Sequence, residues 1–559
     1  MIVITVIAGL TAIAIECGYS NRYHRYYRII AAIACALLGA CVDRPTSDAD
    51  RNDAATPDTG GTAVVALAGN LDVANGLLSA DVTTQEIIRT LLFLPLLTYQ
   101  PDLQLEPLLA RSWQLEGDTA VVLQLRDDVR WHDGVTTTAY DVEFTYRYGV
   151  DPKTAYPNAD YWEGWNRAEV LDSFTIRFSI TPQREALANL PWISVMPRHL
   201  LESTSPAELS KAAFNQQPVG NGPFRFVDYR PNDRWVFEAN RDYPAGLGGR
   251  PNLDRVVFRI IPDESAREAE LIAGAVDLIA NVRPERFEAL DAYEQVRSIA
   301  KPGRQYAMIA WNGRRPPLDD ARVRRALTMA MNRERMVALL WRGRAQVAAG
   351  PVPPFHWAYD DAVKPLPYAP DSARALLAAA GIGDRNGDGV VDLPNGSPFR
   401  IELKLPANNR LNADIAEMIR ADLAEVGVRV TTRPTEYSTM VGDVVAPERK
   451  FEAVLMGWES DFKLVLRDQF HSAAINNQLQ FASYRNPDVD RLLDQLDATM
   501  SREAAAPLWR RLQTIMRDEE PWTFLFYYGT VFGVRERLQD VDMDIRGWLI
   551  SAPQWWLRQ

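Results

Sequence analysis

Cysteine is almost missing from this chain of 559 residues: Cys17, Cys35 and Cys41 are the only three, and everything after Cys41 is thiol-free. That excludes an internal disulfide and any thiolate metal site across the body of the chain. A long exported chain tolerates the lack, because a large core needs no covalent staples. Histidine is nearly as scarce. His24, His132, His199, His356 and His471 stand far apart, and HExxH is absent. No helix face is therefore marked for zinc or nickel, and each His is expected to be a surface or core residue. GxSxG, the P-loop and GxGxxG are missing too, so no catalytic signature is present. Excess positive charge is also lacking. The chain holds 61 basic and 73 acidic residues; three Arg and one Glu lie in residues 1–40, which leaves 58 and 72 beyond, net −14. Nothing in that balance suits a phosphate backbone, and no nucleic-acid partner is expected.

Long apolar runs are absent as well. "IIAAIACALL", Ile29–Leu38, is ten residues, half of the roughly 20 that a spanning helix needs. Arg22, Arg25 and Arg28 precede it and small residues follow, the order of a secretory signal. The closing Leu38-Gly39-Ala40-Cys41 resembles a bacterial lipobox, in which the Cys thiol takes a diacylglycerol and the chain is cut before it. The expectation is a lipoprotein held at Cys41 on a bacterial membrane, in the periplasm or at the cell surface. Upstream, "MIVITVIAGLTAIAI" is a second apolar run without a basic flank. It reads either as a short membrane segment or, preferably, as residues before a true start near Arg22. "VDRPTSDADRNDAATPDTGG", Val42–Gly61, is nearly free of apolar residues and reads as a disordered tether, with a reach of roughly 25 Å.

What remains is 47% hydrophobic over the chain and about 500 residues long, enough for two to four compact units. Strand and helix signals interleave. Val121, Leu123 and Leu125 alternate on one face, as do Phe174, Ile176, Phe178 and Ile180. Thr138 stands three residues before Asp141 in a capping pattern that opens a helix. Pro316-Pro317 delay a helix that Asp319 or Asp320 then caps, with Val323, Leu327 and Ala330 on its core face. In "PVGNGPFRF" the glycines allow a tight turn and Pro223 sets φ before an apolar strand. A strand at 399–406, a helix at 412–427 closed by Gly427 and a strand at 428–434 make a βαβ unit with a parallel pair. The class is α/β with some antiparallel pairing and no internal repeat. "DRNGDGVVD" (384–392) looks like part of a calcium loop, but Asn395 stands where the bidentate Glu belongs, so a solvated turn is the better reading.

Six segments in order resemble one family. They are "LTYQPDLQLEPLLARSWQLEGDTAVVLQLRDDVRWHDGVTTTAYDVEFTY" (97–146), "PVGNGPFRFVDYRPNDRWVFEANRDY" (218–243), "NLDRVVFRIIPDESAREAELIAGAVDL" (252–278), "WNGRRPPLDDARVRRALTMAMNRERMV" (311–337), "YAPDSARALLAAAGIGDRNGDG" (368–389) and "YRNPDVDRLLDQL" (484–496). Together they are similar to the family 5 extracellular solute-binding proteins, the peptide, dipeptide and nickel group that serves ABC importers. The resemblance implies an α/β clamshell, periplasmic-binding-protein-like type II, with two lobes joined by a two-strand hinge and an extra subdomain inserted in lobe I. It places the signal region at 1–40, Cys41 and the tether at 41–61, and lobe I at 62–100 and 206–303. The extra subdomain would then be 101–205, lobe II 304–522 and the lobe I return 523–559.

The same resemblance implies no chemistry, no cofactor and no metal. Implied partners are a short peptide or other small solute and the transmembrane subunits of an ABC permease, with the chain itself a monomer. In "LMGWESDF" (455–462), Asp461 stands where peptide-binding members pair a carboxylate with the ligand's α-ammonium, and Trp458 where an aromatic lines a side-chain pocket. Tyr437, Asn281 and Asn312 follow as further ligand contacts. An Asp at this place could instead cap a helix, Trp458 could be plain core, and each Asn could close a turn. The chain departs from the family in "FLPLLTYQP", where Pro95 replaces a Gly-rich turn, and after Asp461, where Lys463 could compete for the carboxylate. Nickel, a sugar or an opine remains open as the solute, and so does a signalling role.

Overall fold

This computed structural model describes residues 58–407 and 409–558, so the signal segment, Cys41 and most of the tether lie outside the described residues. The tether expected to run to Gly61 ends earlier. Gly60 donates to the Asn252 carbonyl at 2.7 Å and Gly61 to Asp254 Oδ2 at 3.2 Å, so both are already docked.

In chain order the strands of the two larger sheets are β1 (Thr62–Leu67), β2 (Ala110–Glu116), β3 (Ala120–Leu125), β4 (Trp165–Asp172), β5 (Thr175–Ile180), β6 (Phe224–Arg230), β7 (Arg234–Ala239) and β8 (Arg255–Ile260). They continue as β9 (Leu278–Val282), β10 (Val296–Trp311), β11 (Ala345–Val347), β12 (Arg400–Pro406), β13 (Arg429–Thr435), β14 (Ala453–Glu459) and β15 (Trp522–Arg535). The main sheet has eleven strands in the order β13-β12-β14-β10-β15-β9-β1-β8-β7-β6, with β11 also on β15. β1 pairs parallel with β8 and β9, β12 pairs parallel with β13, and the two central strands are antiparallel. A separate sheet, β2-β3-β5-β4, stands beside the first lobe.

The central pair β10/β15 carries the chain between lobes. Val296–Lys301 pairs with Thr530–Arg535, and Gln305–Ala310 pairs with Trp522–Tyr528, with a register break between Lys301 and Gln305. At that break a Cβ on Gly529 would lie 1.8 Å from the Lys301 carbonyl oxygen, and one on Gly303 would lie 2.3 Å from the Tyr528 oxygen. The strands touch backbone to backbone there, which only glycine permits. Beyond the crossing, alternate residues enter opposite cores: Ala307, Ile309 and Trp311 one, Tyr306, Met308 and Ala310 the other. On the partner strand Leu525 and Phe526 enter the first core and Trp522, Phe524 and Tyr527 the second, while Tyr528 packs at the edge of the first. The β10/β15 pairing thus runs through 523 as far as the glycine crossing, with one further register shift between Ala307 and Met308.

Local sequence signals formed as expected where they were local. The helix α1 (Val82–Ile87) is capped by Asp81 and runs into a π-helical turn, Ile88–Leu92. The helix α2 (Ala139–Gly149) opens with Asp141 Oδ2 accepting from the Thr138 backbone N–H at 2.8 Å. Asp320, not Asp319, caps α3 (Ala321–Ala330), and Val323, Leu327 and Ala330 are fully buried. The βαβ unit is β12, α4 (Arg410–Glu425) and β13. The "VGNG" glycines serve a different purpose from the one expected. Gly220 and Gly222 do not adopt positive φ; Cβ atoms there would lie 2.0 and 2.5 Å from the carbonyl oxygens of Leu92 and Leu91. They let this loop clamp the π-helical turn, with Asn221 and Gly222 donating to the Leu92 oxygen at 3.0 and 2.9 Å.

Replacing Gly529 with valine should push β10 and β15 apart at the crossing. A loss of about 1–3 kcal/mol is expected, as for overpacking a tight contact. Thermal and urea unfolding would check it; an unchanged midpoint would mean the crossing has slack.

Candidate functional site

The crossing strands floor a cavity of about 530 Å³ between the lobes. The first lobe lends the end of β1, α1 with its π-helical turn, and Trp548; the extra subdomain lends Tyr161 and Trp192. β10 contributes Lys301, Gly303, Arg304 and Gln305, and the second lobe contributes Glu459 and Asp461 at the end of β14. A second cavity of about 660 Å³ shares Asn281, Gln305, Glu459 and Thr530 with the first and extends along the second lobe past Trp458 to Tyr437.

Asp461 stands just beyond β14, its side chain 59% exposed, with Arg304 Nη1 3.6 Å away. Arg304 is only 17% exposed and pairs more tightly with Glu459. Its guanidinium also lies 5.0 Å from the Trp192 ring centre and 5.5 Å from that of Phe462. One cation thus serves two carboxylates. Desolvation within the cleft pushes the Asp461 carboxyl above the usual range; Arg304 opposes that, and Glu459 and Asp160 reinforce it. An aspartate short of counter-charge is suited to accept a ligand cation.

The other sequence-predicted residues divide. Asn281, next to last in β9, has φ +59°, a left-handed conformation that asparagine accepts better than most residues, and it borders both cavities. Tyr437 is 60% exposed at the start of α5 (Tyr437–Val445), on the wall of the second cavity. Trp458 is half-buried: it borders that cavity, yet its ring packs toward the core 5.4 Å from Trp522 and 6.4 Å from Phe481. Asn312 does not reach the cleft, and its expected ligand contact is corrected. Its side chain is fully buried, donating to the carbonyls of Arg449 at 3.0 Å and Phe451 at 2.7 Å and accepting from Arg314 N at 3.0 Å. Both amide hydrogens and the amide oxygen are engaged by backbone. Cys41 lies outside the described residues. The feared competitor Lys463 turns to the extra subdomain instead, donating to Gln183 Oε1 at 2.7 Å.

Arg304, Glu459, Arg89, Lys301, Tyr161 and Trp192 were not foreseen. They sit on distant stretches of chain, and no spacing rule links them; only "PGRQY" on an expected hinge hinted at Arg304. In the turn at 384–392, Asp384 accepts from the backbone of Gly387, Gly389 and Asn386 at 2.7, 3.0 and 3.2 Å, which holds its carboxyl below the ordinary range. His132 is half-buried and His356 buried; each is bonded to a backbone carbonyl, His132 to Gly222 and His356 to Phe462, and desolvation lowers them to about 4 and about 3.

Two lobes, a paired-strand hinge and a charged cavity between them define a binding protein that encloses a solute. Residues 104–465 match the bacterial extracellular solute-binding proteins, family 5 (middle region), and the chain belongs to that family. It is 29% identical over 535 residues to the oligopeptide-binding protein AppA of Bacillus subtilis (strain 168), covering 94% of this chain and 97% of the other. The structure of AppA in complex with a nonapeptide is similar with a TM-score of 0.76, over 90% of this chain and 100% of that one. Heme-binding protein A of Haemophilus influenzae is 30% identical over 444 residues, 75% of this chain and 78% of the other. The chain is a binding protein and not an enzyme. No helix among the described residues is long and apolar enough to cross a membrane.

Arg304→Gln should raise the titration of Asp461 further, since it removes the cation that opposes its desolvation and leaves the Glu459 charge beside it. Carboxyl-carbon NMR titration would check this. An unmoved midpoint would show that Arg304 is not its counter-ion.

Proposed function

We propose that this protein is the extracytoplasmic substrate-binding lipoprotein of an ABC importer, catching short peptides between its lobes and handing them to a membrane permease. The observation that carries the reading is Asp461: a carboxylate raised by desolvation, facing the inter-lobe cavity, on a chain whose relatives include an oligopeptide-binding protein. Asp461 accepts the peptide α-ammonium. Asn281 serves the peptide backbone, since one amide both donates and accepts, and unpaired peptide groups in a closed cleft would cost about 1–3 kcal/mol each. Tyr437 and the cavity edge of Trp458 give side chains a flat wall. Lobe I comprises 58–100, 206–303 and the stretch after Gly529; the extra subdomain is 101–205; lobe II is 304–528. Closure is a hinge motion at the glycine crossing, and ligand contacts with both lobes set the closed population. Cys41 holds the monomer on the outer face of a membrane or in the periplasm through lipid.

Native mass spectrometry of protein purified from its host identifies what co-purifies; peptide is expected, while haem, a nickel complex, a sugar or an opine would redirect the reading. With a di- to nonapeptide series, Asp461→Ala should weaken binding by about 2–5 kcal/mol in calorimetry, as for truncating one side of a charge pair enclosed by the partner. An unaltered affinity removes Asp461 from the site. Cys41→Ser should move the protein from the membrane to the soluble fraction; retention would assign anchoring to the first apolar run.

A further inference from the structure

Asp461 and Phe462 are neighbours in the chain, yet they line different cavities. Asp461 borders the cleft of about 530 Å³. Phe462 borders another of about 750 Å³, set between the 99–188 and 355–502 stretches of chain. Among the described residues the two cavities have no lining residue in common.

What divides them is an aromatic wall. The Phe462 ring meets Tyr99 edge to face at 4.8 Å and lies 5.2 Å from the Trp192 ring and 5.5 Å from the Phe355 ring. Trp192 faces the cleft, whereas Tyr99 and Phe355 line the cavity behind, so the Phe462 ring stands between the two spaces. On the cleft side the Arg304 guanidinium, which also serves Asp461, lies 5.5 Å from the same ring. On the far side Leu103 and Leu105 complete an apolar cluster around it.

The wall is pinned at each member. Tyr99 and Phe462 are buried, and the Tyr99 hydroxyl donates to the Ala188 carbonyl at 2.7 Å. Trp192 lies between two guanidiniums, Arg89 at 4.2 Å and Arg304 at 5.0 Å. His356 Nδ1 accepts from the Ala358 N–H at 3.1 Å, so its Nε2 carries the hydrogen and donates to the Phe462 carbonyl at 3.1 Å. Burial keeps His356 neutral through the ordinary pH range, which preserves that tautomer. Close-packed rings held in this way have little room to swing aside.

We infer that the Phe462 ring, backed by Tyr99 and Trp192, is the end stop of the ligand site and limits the size of the group that Asp461 accepts. This deepens the peptide reading and rests on it. The limit is steric, and it is separate from the charge requirement that Asp461 imposes. Removing the ring joins the cleft to the cavity behind and gives an apolar substituent on the amine somewhere to go.

Calorimetry on the full chain tests this with three probes: Gly-Ala-Ala-Ala, its N-benzyl derivative and its N-acetyl derivative. N-benzylation keeps the cation and adds bulk, whereas N-acetylation removes the cation. Wild type should bind the parent tenfold or more tighter than the N-benzyl probe. Phe462→Ala should bring that ratio toward one while the N-acetyl probe stays rejected. A wild-type ratio near one would overturn the end stop with the peptide reading intact. So would a Phe462→Ala protein that melts like wild type and keeps the wild-type ratio. Equal rescue of the N-acetyl probe would overturn it too, because that would mean a general loosening of the cleft. Failure of the parent peptide to bind wild type would overturn both readings. Phe462→Leu keeps an apolar side chain against Tyr99 and Phe355; it should narrow the ratio in part, and an unchanged ratio there counts against the end stop if the alanine variant does not fold.

Discussion

The close passage of two backbones at Gly303 and Gly529 is the contact on which the rest of this molecule depends. With the Lys301 and Tyr528 carbonyls where side chains would otherwise be, β10 and β15 draw together and break register between Lys301 and Gln305. The same two strands thereby belong to both lobes. On one side they pair with β9 and finish the first lobe; on the other they pair with β14 and lie between two apolar cores. In a sheet that runs through both lobes, the crossing is a place where the strands can bend between cores and not within one.

That crossing also puts the polar groups in place. Lys301, Arg304 and Gln305 follow one another on β10 at the floor of the cavity, and the end of β14 brings Glu459 and Asp461 alongside Arg304. Trp192 then receives two guanidiniums, Arg89 at 4.2 Å and Arg304 at 5.0 Å, an aromatic surface on which otherwise repelling cations are held. The cleft is therefore polar by design of its walls, while the apolar cores sit behind the strands.

A second set of contacts lies at the rim, where the extra subdomain meets the second lobe. Arg184 donates to the Leu496 carbonyl at 2.6 Å and the Thr499 carbonyl at 3.3 Å, Lys463 binds Gln183, and Arg502 pairs with Glu185. The Trp192 and Phe462 rings meet at 5.2 Å, and Tyr99, just before the extra subdomain, meets Phe462 edge to face at 4.8 Å. Several of these are half-exposed, so each is worth little by itself. Their sum opposes opening and adds to whatever a ligand contributes by touching both lobes.

Sequence by itself determined what depends on neighbours along the chain: the alternation of Val121, Leu123 and Leu125, the Thr138–Asp141 cap, the Asp320 cap and the βαβ unit. Each is a short-range preference that packing then used. It also carried the family, because six segments in order leave little room for another fold, and it placed Asp461 and Asn281 at the cleft. Only the tertiary structure decided that Asn312 is walled in by the Arg449 and Phe451 carbonyls, that Trp458 leans into a core, and that two backbones touch at Gly303 and Gly529. It alone joined Arg89, Tyr161, Trp192, Lys301, Arg304 and Asp461 around one cavity. Those residues lie up to hundreds of positions apart, and a charge acts through space, so no local pattern could have announced that they meet.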